Sequence, residues 1–550
     1  MFLIGNRVCD KQAKEKSKRS FMSGVAVLTL STLIVKLIGL LYKIPLIKYL
    51  GEDGMGYFNS AYEIYMFFYI IATAGLPVAI SIMVSKSAEN GRHKNAVRIF
   101  NVSLLVLFVL GVLGTAVLFF GAERFGTLIG NSGAIMSVSA IAPMALFICV
   151  SSALRGYFQG YQNMVPTAVS NIIEAVGKLL LGLGLAVWAV NSGYDIISSA
   201  AFATLGITIG VGLSMLYLLV CKLLSGRNKS MSDGDGYLQG RGEIVRSLIK
   251  IAVPITLSSV VISLTRVIDL VMILRRLQAI GYTEDAANAI YGSYSTLAVS
   301  MFNLPASFVT PIALSLVPIL TAAIDTRNEK KEKGTLNASL RLCGIITIPA
   351  SLGLSMFSRP ILELVFSGEE SAINTAAPLL SVLALSVFFS CVMTVTNAIL
   401  QAYGKERKPI ISMLLGACVK VIMSYILIGI PEINIYGAPI STLLCDITVS
   451  AVNMSYIKKV SNHMNGAMKL FSRSLVASAL SIGICGAGYY IMLKNATLES
   501  TASFTVAAIA IAAAIFVVFA FKLKAVNESD ILLLPKGDKI CLLLKKIKLM

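Results

Sequence analysis

The sequence predicts an all-α integral membrane protein of about fourteen transmembrane helices, arranged as two six-helix lobes in a parallel pseudo-repeat around a central cavity, with two extra C-terminal helices. Three observations predict this. Apolar runs long enough to cross a bilayer recur along the whole chain. Basic connections alternate with neutral or acidic ones. A stretch of the first half returns in the second at an offset of about 240 residues. The 550 residues are 56% hydrophobic and only 14% charged, with a mean hydropathy of +0.80, far from the composition of a soluble domain.

The elements follow in chain order. The tail, 1–21, is polar and carries Arg7, Lys11, Lys14, Lys16, Lys18 and Arg19 ahead of a run too long for the core of a cleavable signal, so the first helix is expected to remain. Helix 1 spans 22–49 and contains Lys36 and Lys43; "GEDGMG" joins it to helix 2, 57–84, which contains Glu63 and Pro77. The basic stretch "SKSAENGRHKNAVR" leads to helices 3 (97–120) and 4 (134–154). Helix 5, 165–190, contains Glu174 and Lys178, and "NSGYD" connects it to helix 6, 196–221. These make an N-lobe over 22–223. The very polar segment 224–243 reads as a cytoplasmic linker.

The C-lobe, 244–460, begins with helix 7 (247–274), which carries Lys250, Arg266 and Asp269. Helix 8 (287–322) contains Pro305, Pro311 and Pro318; helices 9 (340–362) and 10 (374–402) follow, then helix 11 (410–430) with Lys420 and helix 12 (435–457) with Asp446. Helices 13 (470–493) and 14 (502–522), within 461–523, fall outside the repeat. The tail 524–550 is basic and amphipathic, suited to an anionic inner leaflet or else a disordered end. Most of the 47 Lys and Arg fall in the connections on one side, so both termini are expected in the cytoplasm of a bacterial cell whose plasma membrane the chain spans many times. Arg275-Arg276 fall on the other side, which requires either a local contact or a shifted boundary.

That distribution makes the net charge of +19 a signature of topology, not of nucleic-acid binding. The nine cysteines form no C-x-x-C pair and lie mostly in apolar runs, as buried thiols do. Two histidines, both in loops, offer nothing to an imidazole metal site, and no cofactor or metal is expected. The repeat pairs "FQGYQNMVPTAVSNIIEAVGKLLLG" (158–182) with "LQAYGKERKPIISMLLGACVKVIMS" (400–424), bringing Lys178 and Lys420 within one residue of register. Six spans separate the copies, so the lobes share one orientation about an axis along the membrane normal.

Charge within the spans is the main chemical signal, because an ionised side chain at mid-bilayer costs several kcal/mol. Lys36 and Lys43 are seven residues apart, so they fall within roughly 20° of each other on one helix face. No acid shares their helix, and Lys36 lies too deep to reach the interface. They are expected to line a wetted cavity that receives an anion, with phosphate or pyrophosphate the obvious class. Arg266 and Lys420 are candidates from the second lobe. Glu174 with Lys178 and Arg266 with Asp269 sit at helical spacing, so each is a neutralising pair or part of the site. Glu63, Glu174 and Asp446 offer carboxylates to a coupling cation or proton. Pro77, Pro305, Pro311 and Pro318 mark bending positions, with the three in helix 8 the strongest case.

"YFNSAYEIYMFFYIIATAGLPVAISIMVSKSAENGR" (57–92) and "LRGYFQGYQNMVPTAVSNIIEAVGK" (154–178) resemble the polysaccharide-flippase group of the multidrug/oligosaccharidyl-lipid/polysaccharide exporter (MOP) superfamily. The resemblance is to the branch of Gram-positive bacteria that holds stage V sporulation protein B and MurJ-like lipid II flippases, and it runs over essentially the whole chain. It implies two six-helix lobes, a cationic cavity, a lipid-tail groove made by the extra helix pair, and alternating access for a polyprenyl-pyrophosphate-linked sugar. Where the Gram-negative branch has arginines in helix 1, this sequence has Lys36, with Lys43 one residue off; "MFFYIIATAGLP" and "STLAVSMFNLP" lack the charges of that branch.

The expected function is therefore not enzymatic. It is the movement of a lipid-linked saccharide, most simply lipid II for peptidoglycan or spore cortex, from the inner to the outer leaflet by a monomer, with membrane lipids and cell-wall synthases as further partners. The alternatives are a cation-coupled multidrug-type exporter and a non-transporting scaffold for cell-wall synthesis. A membrane glycosyltransferase, with Glu52 and Asp53 of "GEDG" as its acids, lacks an outer domain for catalysis.

Overall fold

The computed structural model describes residues 2–226, 238–461, 467–493, 501–523 and 525. Most of the expected linker and the C-terminal tail lie outside the described residues. Among those described there is no strand, and 13 helical runs are long and apolar enough to cross a membrane. The first run, Leu30–Glu89, has 60 residues, about 90 Å of helix against about 30 Å of hydrocarbon. It is two crossings. Helix α1 (Phe2–Thr73) is kinked at Gly51, whose φ of 65° and ψ of −171° leave the helical region, a conformation that favours glycine. A second break at Thr73–Gly75 precedes α2 (Leu76–Glu89), with Pro77 in its first turn, where its missing N–H costs nothing.

The helices that follow are α3 (His93–Phe120), the short α4 (Ala122–Ile129) and α5 (Ala134–Ile141), then α6 (Met144–Gly160) and α7 (Val165–Gly177). A π-helical turn, Lys178–Gly182, joins α7 to α8 (Leu183–Asn191), and α9 covers Ile196–Gly226. Helix α10 (Arg241–Ala279) leads to α11 (Glu284–Ser293), a second π turn at Tyr294–Ala298, and α12 (Val299–Asp325). Then come α13 (Glu329–Met356), α14 (Ser358–Val365), α15 (Glu370–Ala402), α16 (Arg407–Ile428), α17 (Gly437–Val460), α18 (Ala467–Leu493) and α19 (Thr501–Lys522).

The chain forms two compact units, residues 1–271 and 272–550, divided within α10. In the first, close backbone approach at small residues does what hydrophobic burial cannot do in lipid. The "GYFQG" glycines of α6 seat it on α2: a Cβ on Gly156 would stand 2.7 Å from the Pro77 carbonyl oxygen, and one on Gly160 2.7 Å from Val84 Cβ. The "GITIG" pair of α9 receives α7 and the π turn in the same way, with a Cβ on Gly206 2.3 Å from the Leu181 carbonyl oxygen and one on Gly210 2.9 Å from Gly177. Gly75, at the break before α2, admits α10, whose Ala252 carbonyl would lie 2.2 Å from an added Cβ.

In the second unit α12, α13, α15 and α17 share a core that includes Val309, Leu316, Leu340, Cys343, Val387, Cys391 and Ile457. Helix α12 stays continuous through Pro305, Pro311 and Pro318. Pro305 is buried in this core side and Pro318 faces outward. Helices α18 and α19 pack on each other and on α13; the Tyr489 hydroxyl hydrogen-bonds Thr505 at 3.0 Å beside Phe357. Among the described residues no cysteine is in a disulfide. Cys149, Cys343, Cys391 and Cys485 are buried, but Cys221 and Cys445 are half-buried and Cys418 is exposed on α16, a correction to the expectation of buried thiols that costs little where the surroundings are lipid.

Candidate functional site

The first unit gathers charge along one aromatic stripe. In the second half of α1, Phe58, Tyr62, Tyr65 and Tyr69 recur at helical spacing and contact in sequence, with ring centroids 5.7–6.0 Å apart, and Tyr42 extends the row. Such rings give a helix face both apolar area and polar tips. Tyr65 is fully buried, and its hydroxyl has no hydrogen-bond partner among the described residues.

Against this stripe stands an ion cluster. Glu174 of α7 accepts from Arg155 of α6 at 3.1 Å on one oxygen and from Lys178 at 3.1 Å on the other. Arg155 also donates to Ser170 at 3.2 Å and Ser214 at 3.4 Å, and the Ser214 hydroxyl donates to the Ser170 carbonyl at 2.9 Å. Arg155 and Glu174 are both 7% exposed. The Lys178 amine lies 5.7 Å from the Tyr62 ring centroid, a cation–π contact. Lys178 begins the π turn, and such turns concentrate at functional positions in helices. The four-residue spacing of Glu174 and Lys178 is therefore an ion pair, and sequence reasoning missed its third member. Arg155 sat in "RGYFQG", where the motif was visible but its burial was not, because the apolar run appeared to end just before it. The spacing of Phe58, Tyr62, Tyr65 and Tyr69 was also readable.

Lys36, Lys43 and Arg266 belong to this same unit. Lys36 and Lys43 each feel the positive field of Arg266, and Lys43 also feels the carboxylate of Glu63. Lys36 and Arg266 are exposed, and Lys43 is half-buried. Three cations thus stand within electrostatic reach, with Glu63 and, one turn from Arg266, Asp269. Including the buried cluster, cations outnumber carboxylates in this part of the unit.

Lys420 and Asp446 lie in the second unit, on α16 and α17, each 7% exposed. The two helices pack closely: a Cβ on Gly416 would meet Val449 at 2.3 Å, and Ser424 hydrogen-bonds Ser441 at 2.7 Å. Lys420 is one turn from each of these contacts on the same face, at the level of Asp446. The out-of-pattern Arg276 is held locally: Nε donates to the Tyr425 carbonyl at 3.1 Å, the guanidinium stacks 4.2 Å from the Tyr425 ring, and it fills the space beside Gly429. Among the described residues no three His, Cys, Asp or Glu come together as a metal-ligand set.

A family described as "Polysaccharide biosynthesis protein" matches residues 21–324, more than half of the chain. The chain belongs to that family. The MatE family model matches residues 254–426. Stage V sporulation protein B of Bacillus subtilis (strain 168) is 25% identical over 447 residues, 81% of this chain and 85% of that one. Lipid II flippase MurJ of the same organism is 25% identical over 528 residues, 91% of this chain and 95% of that one. A solved structure of lipid II flippase MurJ in an inward closed conformation superposes with a TM-score of 0.66 at 16% identity, covering 90% of this chain and 98% of that one. This family member thus has a multi-pass transporter fold, and the relatives named are not catalytic enzymes.

Proposed function

We propose that this protein is a flippase that carries a polyprenyl-pyrophosphate-linked saccharide, most simply lipid II, from the inner to the outer leaflet of a bacterial plasma membrane. What supports the reading is the group of Lys36, Lys43 and Arg266 on apolar helices of one unit, where Arg266 acts on both lysines and Glu63 attracts Lys43. A pyrophosphate adds two negative groups to a site where cations outnumber carboxylates, and lysine and arginine donors bind such groups strongly. The family match and the full-length similarity to a lipid II flippase support the same cargo class. The prenyl tail remains in lipid throughout, so only the headgroup needs protein contacts.

An inside-negative potential favours outward movement of the anionic headgroup by about 2.3 kcal/mol per charge per 100 mV. Glu63, beside Lys43, is the carboxylate best placed to take up a cation or proton when the cargo has left. Lys178 and Glu174 belong to the ion cluster with Arg155, where their part is to fix α6, α7 and α9 around the aromatic stripe. Lys420 and Asp446 have the corresponding part in the second unit; Pro77, at the break before α2, and Pro305, Pro311 and Pro318, within the continuous α12, are the positions at which these segments would flex during transport.

A second reading, a cation-coupled exporter of drug-like molecules, is favoured by the MatE match over residues 254–426. Reconstitution in liposomes separates the readings. Labelled lipid II, a teichoic-acid precursor and a lipophilic cation are offered in parallel, and the species that becomes accessible outside names the cargo. Lipid II translocation without cation export supports the flippase; cation export alone supports the exporter; movement of none of them supports a scaffold.

A further inference from the structure

The first unit also carries an apolar groove, open to its surroundings. Helices α3, α6 and α9 enclose an apolar cavity of about 500 Å³, lined by Leu105 and Phe108 of α3, Leu146 and Val150 of α6, and Leu219 of α9, with Asn101 at one end. The volume is that of a small-molecule site. Leu105 and Phe108 are 64% and 47% exposed, so the cavity opens outward.

Its polar end is basic. Arg98 lies on the same face of α3 as Asn101 and Leu105, at i, i+3 and i+7, towards the end of the helix that begins with His93 and Lys94. The Arg98 Nε is buried with no hydrogen-bond partner among the described residues. A buried guanidinium nitrogen without an acceptor is costly and points to a ligand that supplies one. One turn beyond Leu219 on α9, the Lys222 amine is seated over the Tyr157 ring at 3.4 Å and the Phe100 ring at 5.1 Å. Those two rings hold the ammonium between α3 and α6.

We propose that this groove holds one acyl chain of an anionic phospholipid of the adjacent leaflet, its phosphate accepting from Arg98 and Asn101 within the field of Lys222. The charge at one end and the uniformly apolar lining of the remainder match an amphiphile with a single negative head. The lipid is resident, not cargo: it lies along α3, α6 and α9, which Gly111 and Gly212 already seat against Leu146 and Phe147 of α6.

The chain has a single tryptophan, Trp188, on α8, which makes the test direct. In the full-length protein Trp188→Phe combined with Leu105→Trp moves the fluorophore into the groove, and Trp188 in the unaltered protein reports on ordinary surrounding lipid. Vesicles of phosphatidylcholine are doped with brominated-chain phosphatidylglycerol or, at equal mole fraction, brominated-chain phosphatidylcholine. The groove tryptophan is expected to favour the phosphatidylglycerol quencher about fivefold, about 1 kcal/mol for one basic side chain at a membrane surface. Trp188 is expected to show no preference, and Arg98→Gln in the groove reporter to abolish the preference. Equal quenching by the two lipids, or a preference that survives Arg98→Gln, overturns the proposal. So does loss of the preference on adding equimolar undecaprenyl phosphate, which would assign the groove to a prenyl tail. None of these readings depends on which saccharide is carried, so they stand or fall separately from the proposed transport.

Discussion

Replacing Arg155 by Met retains much of the side-chain volume and removes the charge. Glu174 then keeps Lys178 at 3.1 Å but loses the guanidinium at 3.1 Å, and Ser170 and Ser214 lose their donor. Removing one partner of a buried charged pair costs about 3–5 kcal/mol; because a second cation remains, the lower end applies, about 3 kcal/mol. For a unit of this size that lowers the apparent melting temperature by roughly 6–12 °C. The assay is recovery of monodisperse detergent-solubilised protein by size exclusion after heating. The double-mutant cycle with Glu174→Gln makes the reasoning specific. With Arg155 already gone, neutralising Glu174 should cost less than it does alone, a coupling of about 1–3 kcal/mol. A shift below about 2 °C for Arg155→Met, or effects that add within about 0.5 kcal/mol, would refute the view that these residues act as one buried unit.

Two further outcomes are expected. Gly156→Val places methyl groups against the Pro77 carbonyl and Ile80 and should lower stability by about 1–3 kcal/mol as overpacking does, whereas Gly184→Ala, with nothing within 4 Å of its Cβ, should change the same heating assay little. Asp195, in the connection before α9, accepts from the Ser198 N–H at 3.4 Å, and its interactions with Ser198 hold its carboxyl below the usual range. Its contribution is present above the ordinary aspartate pKa and is lost as pH falls through the lowered value, so Asp195→Asn should flatten the acid limb of a melting-temperature profile while leaving neutral pH almost unaffected.

Much of the architecture was legible because lipid imposes one rule everywhere: crossing segments are long, apolar and helical. The runs at 97–120, 374–402 and 410–430 became α3, α15 and α16 with ends shifted by a few residues. The first two crossings merged into α1 because the turn at Gly51 is a single left-handed glycine and not a loop. The Glu174–Lys178 pair was legible from spacing alone, but Arg155 was not: it comes from another helix, and its burial depends on how Gly156 and Gly160 set α6 against α2. Lys36 and Lys43 share a helix face by simple periodicity; their nearness to Glu63 and Arg266 is tertiary and no period encodes it. Arg276 broke the charge pattern because it has a partner within the fold, the Tyr425 ring and carbonyl, far away in sequence.

The most direct measurement of the account is outward translocation of fluorescent lipid II in liposomes containing equal, correctly inserted amounts of the unaltered protein and the Lys36→Ala/Lys43→Ala variant. Loss of most of the translocation rate in the variant, with each single variant intermediate, is predicted. A double variant that moves lipid II as fast as the unaltered protein would contradict the claim that these amines receive the headgroup.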